Sequence, residues 1–208
     1  MVQTSAGTTV VLGDTAFSSG NNEVGIDESD VGSADADWDY LSGLVDFKVS
    51  GAQAGATYNV VIPLSGTVPA GAVLRKFMGD NIGWQDFVEN ATNAIHSAMA
   101  TSGTCPEPGS SAYAPGLPTA EAMVPEQTIC LELLIEDGGP NDMDGVAHGT
   151  VVDPSGIATL YFGPPSSNST ISIDATELKA GGNETATVTV TAVDPDGRAL
   201  EGMTVSAS

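Results

Sequence analysis

The sequence predicts an all-β chain: an antiparallel β-sandwich with long loops, followed by a partial immunoglobulin-like β-sandwich. Composition, a period-two alternation of apolar residues and closely spaced turn residues lead to this prediction. The 208 residues include 25 Gly and 12 Pro, with 41% hydrophobic and only 5% aromatic residues. Such a composition favours strands joined by small-residue turns over packed helices, and the length suffices for a hydrophobic core.

Apolar and polar residues alternate in short segments along the chain. Val45, Phe47 and Val49 alternate with Asp46 and Lys48, as they do in a half-buried strand. Short strands of this kind, punctuated by Gly, Pro, Asp and Asn, are typical of a sandwich. Further predicted strands are 9–12, 58–64, 72–78, 128–135, 146–152 and 158–162.

One segment has helical periodicity instead. Phe87, Ala91, Ala94 and Ala98 recur at intervals of three and four residues. This pattern predicts a helical turn within 84–100, although not a long helix.

A Pro- and Ser-rich segment after Phe162 reads as a linker and divides the chain into domains 1–164 and 165–208. The second domain has predicted strands at 170–173, 185–193 and 203–205, with a turn at 194–197. An immunoglobulin-like sandwich needs about seven strands in roughly 100 residues. We therefore expect a partial domain, either cut short or completed by strands from another chain.

The charge of the chain is strongly one-sided. Five Lys and Arg against 27 Asp and Glu give a net charge of -22, which repels nucleic acid and anionic membrane surfaces. No run of eighteen apolar residues is present, so direct membrane insertion is not expected. Bound cations or salt would offset the self-repulsion, whereas the simpler interpretation is that the charge serves solubility.

The two cysteines, Cys105 and Cys130, flank a segment rich in Pro, Gly and Ser. An even count in a strand-rich acidic chain predicts one disulfide and an oxidising, extracellular or cell-surface location. The alternative is a pair of unrelated buried thiols.

Residues 136–145, EDGGPNDMDG, place four carboxylates and a carboxamide among turn residues. Calcium is bound by six to eight oxygens in flexible geometry, which this loop can offer, although its spacing is not that of an EF-hand. The alternative is a solvated acidic turn. The predicted calcium ligands are Asp137, Asn141, Asp142, Asp144 and, from the following strand, Asp153.

A second acidic segment, 27–39, is either a solvated loop or another cation site.

Catalytic signatures are weak. His96 and His148 are the only histidines, and neither stands beside a nucleophile motif or in metal-ligand spacing. Paired carboxylates could hydrolyse glycosides, but the aromatic residues are too few and scattered to predict a sugar-binding cleft. We therefore expect that the chain is not an enzyme.

Six linked segments of the first domain are 43–47, 61–64, 68–77, 83–87, 136–145 and 152–154. Taken together and in this order, they resemble the choice-of-anchor U domain of bacterial surface proteins. In that family the acidic loop typically carries Ala at the position of Met143, a mild departure here. The resemblance implies a secreted or surface-anchored protein more than it implies an activity.

The last part of the chain resembles the immunoglobulin-like repeats of invasin- and intimin-type adhesins, through 172–175, 181–190 and 194–205. Such repeats form stalks that hold binding domains away from the cell.

The expected function of the chain is that of a non-enzymatic extracellular structural or adhesive module of a surface fibre, stalk or filament, stabilised by calcium and one disulfide. Its expected partners are other copies of itself, neighbouring immunoglobulin-like repeats, or a cell-surface or glycan ligand. The alternative is a carbohydrate-binding module or an accessory domain of a secreted hydrolase.

Overall fold

In a computed structural model, the chain forms two compact units, Met1–Leu160 and Tyr161–Ser208. The sequence places the boundary slightly later, after residue 164. The structure describes residues 1–20, 23–51, 53–118, 128–175, 177, 181 and 185–200.

The first unit is an antiparallel sandwich of two sheets, which confirms the predicted fold class. One sheet has five strands in the order β1-β6-β11-β9-β10. Its strands are β1 (Gln3–Thr4), β6 (Thr57–Ser65), β9 (Ala94–Met99), β10 (Ala114–Pro115) and β11 (Thr128–Glu136).

The other sheet has seven strands, in the order β2-β5-β12-β7-β8, with β3 paired to β5 and β4 paired to β12. A short helix, α1 (Asp14–Ser18), and a 3₁₀ turn, Glu28–Asp30, belong to the segments before β4. The strands are β2 (Thr9–Leu12), β3 (Gly25–Ile26), β4 (Trp38–Tyr40), β5 (Leu44–Ser50), β7 (Val73–Phe77), β8 (Trp84–Asp86) and β12 (Thr150–Leu160).

The main core lies between the two sheets and draws on both. Because alternate side chains of a strand point to opposite faces, every second residue of the central strands points into this core. Its buried members are Phe47, Val49, Val60, Ile62, Val68, Leu74, Phe87, Ile95, Ile129, Leu131, Leu133, Ile135, Val151 and Ile157.

The outer faces of both sheets are also covered by the chain. Val61 and Cys130 alternate with core residues and pack with Tyr113 and Cys105 on the five-stranded sheet. Leu44 and Phe77 do the same on the seven-stranded sheet, where Ala16, Ile26 and Val31 complete a second cluster. The strands are therefore buried on both faces, as β12 illustrates from Val151 to Ala158.

Two predictions about local structure are wrong. The segment 84–100 has no helical turn but contains β8 and β9, because Ile95 and Ser97 are buried in period two. The predicted strand 146–152 begins only at Thr150. Val146 is exposed, and its N–H donates to Asp144 Oδ1 (2.9 Å), which keeps this part of the chain in the acidic loop.

The predicted disulfide is confirmed: Cys105 and Cys130 are bonded, with a Cα–Cα distance of 5.6 Å. Cys130 lies within β11 and Cys105 in the segment that covers the outer face of that sheet. The bond therefore fastens this covering segment to a central strand.

Replacing both cysteines, Cys105→Ala with Cys130→Ala, should lower the free energy of unfolding by about 3 kcal/mol, as expected for a bridge spanning 25 residues. Urea unfolding of the variant and of the reduced wild type measures this effect. Equal midpoints for the oxidised, reduced and substituted proteins would contradict it.

The second unit contains a two-stranded ribbon of β13 (Thr170–Ile173) and β14 (Val188–Thr191). Ile171 lies opposite Val190 and Ile173 opposite Val188, and all four side chains are exposed. The predicted turn at 194–197 is present, closed by a hydrogen bond from Gly197 N–H to Asp194 O (3.0 Å). The predicted strand 203–205 lies outside the described residues.

Among the residues that the structure describes, no helix has the length and apolar character needed to cross a bilayer.

Candidate functional site

The acidic loop, residues 136–145, begins at the end of β11 and leads toward β12. Its most connected side chain is the buried Asp137 carboxylate. Asp137 Oδ2 accepts hydrogen bonds from Gly55 N–H (2.8 Å) and Gly149 N–H (3.0 Å), and Oδ1 accepts one from Thr150 N–H (3.1 Å). This carboxylate therefore joins the β5–β6 loop to both ends of the loop before β12.

The pKa of Asp137 reflects these bonds. Burial raises the pKa, but backbone hydrogen bonds from Gly149, Gly55 and His148, together with the charge of His148, outweigh burial and lower it. The ionised form is therefore favoured in the folded state.

Asn141 and Asp142 are also buried, and their side chains form hydrogen bonds with backbone groups. Asn141 accepts from Val88 N–H and donates to Val88 O, both at 2.8 Å. Asp142 accepts from Gly138 N–H and Val152 N–H, also at 2.8 Å. Burial raises the pKa of Asp142, and the two hydrogen bonds lower it by less, so the pKa stays above its ordinary value.

Asp144 differs from the other four predicted calcium ligands because it is exposed. It accepts from Val146 N–H and lies 3.2 Å from Nε2 of His148, which is itself half exposed. Asp144 thus stays at the surface of the loop.

Asp153, the fifth predicted ligand, has a basic partner. Lys76 Nζ lies 2.7 Å from Asp153 Oδ1, and both side chains are 0% exposed. The cation of this pair comes from β7, next to β12 in the sheet. Burial lowers the pKa of Lys76, while the charges of Asp153, Asp142 and Asp46 oppose that shift.

Reasoning from the sequence missed Lys76, although a signal was present. Lys76 is in phase with the core residue Leu74, and Asp153 is in phase with the core residue Val151. Lys76 lies in the predicted strand 72–78, and Asp153 directly follows the predicted strand 146–152. Opposite charges in the core phase at these positions indicate a buried pair, because an isolated buried charge is costly.

Asp46 extends this group of carboxyls toward helix α1. Its Oδ2 accepts from Ala16 N–H (2.9 Å) at the start of the helix. Burial raises the pKa of Asp46, hydrogen bonds from Ala16 and Thr15 lower it, and the charges of Asp153 and Asp14 raise it. The Asp46 carboxylate lies so close to the backbone of residue 13 that only glycine fits there, because a Cβ would overlap the carboxylate.

Gly13→Ala should therefore destabilise the protein by about 1–3 kcal/mol, the usual cost of overpacking. Urea unfolding provides the measurement. Gly25→Ala is the matched control, because a Cβ there meets no atom within 4 Å and its backbone does not lie in the left-handed region. A Gly13→Ala variant as stable as the wild type would contradict the crowding at this site.

The five predicted calcium ligands are thus already engaged by the protein. Asp137, Asn141 and Asp142 bond backbone groups, Asp153 faces Lys76, and only Asp144 among the five is exposed. Within the described ranges no group of three or more His, Cys, Asp or Glu has a metal-binding arrangement. These contacts use oxygens that calcium would need, and calcium binding stays a prediction for this loop.

The second acidic segment, 27–39, contacts an arginine. Asp35 bonds the Arg75 guanidinium through both oxygens, at 2.8 Å to Nε and 3.0 Å to Nη2. Asp86 lies 2.6 Å from Nη1, the Trp38 ring stacks at 4.8 Å, and Tyr40 donates to Asp35. This bidentate pair fastens the segment to the seven-stranded sheet.

His96 lies against Glu132, with Nδ1 3.3 Å from Oε2. Glu132 is buried on β11 and also accepts from Asn59 Nδ2 (3.0 Å) and Gly109 N–H (2.5 Å). Glu132 thereby ties the segment after Cys105 to the sheet, as the disulfide does.

Comparison with known protein families, with characterised proteins and with solved structures gave no significant match.

Proposed function

We propose that this protein is a non-enzymatic, extracellular structural or adhesive module of a cell-surface fibre, stalk or filament. The observation that supports this proposal most is the use of the buried carboxylates as internal braces. Asp137 and Asp35 join chain segments that are distant in sequence, through the Gly55 N–H and the Arg75 guanidinium, and Asp142 joins the acidic loop to the following strand through the Val152 N–H. A scaffold with these braces suits load-bearing and display.

The extracellular location is supported by the disulfide, because such bonds persist in oxidising compartments. The net charge of -22 suits a soluble surface module that does not adhere to nucleic acid. The resemblance to choice-of-anchor U domains agrees with this location.

The exposed apolar side chains of the ribbon in the second unit favour packing of this unit against further strands. Its apolar side chains are directly opposite one another and exposed, and within the described part of this unit the ribbon pairs with no third strand. A two-stranded ribbon by itself is at best marginally stable in water. Immunoglobulin-like repeats, or another copy of this chain, would supply such strands by edge-to-edge addition or face packing.

The carbohydrate-binding alternative would need exposed aromatic platforms. Trp84 instead donates to Ser33 O (2.8 Å) and packs against Tyr40 and Phe77. Trp38 packs against the Arg75 guanidinium. Both tryptophans therefore have internal roles, and the aromatic side chains that are exposed among the described residues are Phe17, Tyr161 and Phe162.

Immunogold electron microscopy of cells of the source organism, with antibody against this chain, tests the proposal. We expect label on surface fibres or on the cell envelope. Label confined to the cell interior would contradict it.

A glycan array with the purified chain separates the structural function from the alternative. We expect no saturable binding. Saturable binding that is lost in Tyr161→Ala with Phe162→Ala, two exposed aromatic residues, would favour the carbohydrate-binding module if circular dichroism shows that the fold is retained. Release of reducing sugar from any arrayed glycan would identify an enzyme.

A further inference from the structure

Four polar atoms at the centre of the sandwich lack hydrogen-bond partners. They are Lys76 Nζ, both carboxylate oxygens of Asp153 and Ser155 Oγ, all buried among the described residues. The Lys76–Asp153 contact of 2.7 Å is therefore close but lacks hydrogen-bond geometry. An ion pair buried in this way keeps most of its desolvation cost.

The strand register brings these groups together on the core face. Lys76 lies opposite Ser155 across β7 and β12, and Leu74 lies opposite Ile157. Because side chains alternate, Asp153, Ser155 and Ile157 share one face of β12. Leu74 and Ile157 belong to the main core, so Lys76 and Asp153 meet inside it, away from water.

We propose that Lys76 and Asp153 are joined by an intramolecular amide bond between Nζ and Cγ. The proposal goes beyond the structural function, because it assigns a covalent modification to the chain. Its basis is the fully buried, close contact of an amine and a carboxyl group that are otherwise unsatisfied.

The condensation balances without any co-reactant. The bond from Nζ to Cγ forms, the bond from Cγ to one carboxylate oxygen breaks, and that oxygen takes two protons from the ammonium and leaves as water. One hydrogen stays on the amide nitrogen. The product carries no charge, so the desolvation cost of the ion pair is removed. Ser155 also lines a cavity of about 140 Å³, which is ample for the departing water.

Digestion with endoproteinase Lys-C, under denaturing and reducing conditions, tests the bond. The chain has lysines at 48, 76 and 179, and the enzyme cuts only after a lysine with a free amine. An amide at Lys76 leaves fragment 49–179 intact, lighter than its sequence mass by one water. Cleavage after Lys48 and Lys179 serves as the internal control.

Complete cleavage after Lys76 in the wild type would overturn the proposal. Loss of water alone is insufficient, because Asp–Gly pairs such as Asp144–Gly145 can lose water by cyclising to a succinimide. Water loss with cleavage after Lys76 would also overturn it. Asp153→Ala should restore cleavage after Lys76. If that variant does not fold, the wild-type digest alone shows whether the amide at Lys76 is present.

Discussion

Asp153→Ala is expected to lower the free energy of unfolding by about 3–5 kcal/mol, because it leaves the Lys76 ammonium buried without its carboxylate. Urea unfolding followed by circular dichroism gives the value. A loss of this size is a large part of the roughly 5–15 kcal/mol that stabilises a typical domain.

The matched control is the double variant Lys76→Met with Asp153→Ala. It replaces the buried charge by an apolar side chain of similar length, so it should be more stable than Asp153→Ala alone. If the double variant is no more stable than Asp153→Ala, then Lys76 is not a buried charge in Asp153→Ala, which contradicts the prediction.

Asp137→Ala is expected to lower the free energy of unfolding by about 3 kcal/mol, because three backbone N–H groups lose their acceptor. Asp144→Ala, in the same loop, removes an exposed carboxylate with one backbone donor and should cost less than about 1 kcal/mol. Equal losses in the two variants would contradict the bracing role of Asp137.

The effect of Asp137 should depend on pH in one direction. Because its folded-state pKa is lowered, its contribution is complete above the ordinary pKa of an aspartate, about 4, and is lost as pH falls through the folded-state pKa. The stability difference between wild type and Asp137→Ala should therefore shrink in acid. The difference isolates Asp137 from Asp46 and Asp142, whose pKa values are raised.

The sequence predicted the class of fold well because its signals are local. The alternation of Val45, Phe47 and Val49 with polar residues needs no partner to be recognised, and β5 indeed spans Leu44–Ser50. The pairing of Cys105 with Cys130 followed from their being the only cysteines. The turn at 194–197 followed from its Asp, Pro and Gly.

The candidate site was only partly predictable, because its contacts join residues distant in sequence. The acidic loop was identified, but its composition does not reveal that Gly55 and Val88 supply backbone groups to Asp137 and Asn141. The helical periodicity of Phe87 and the alanines did not predict the structure: Phe87 is a core residue, but β9 is a strand in which Ile95 and Ser97 are buried in period two.

Hydrogen exchange of individual backbone amides, followed by NMR in EDTA, tests the bracing of the acidic loop most directly. The amides of Gly55, Gly149 and Thr150 donate to Asp137, and those of Gly138 and Val152 donate to Asp142. We expect all five to be protected from exchange without any divalent cation. Rapid exchange of these amides in EDTA, with protection only after calcium is added, would show that an ion and not the protein's own donors holds the loop.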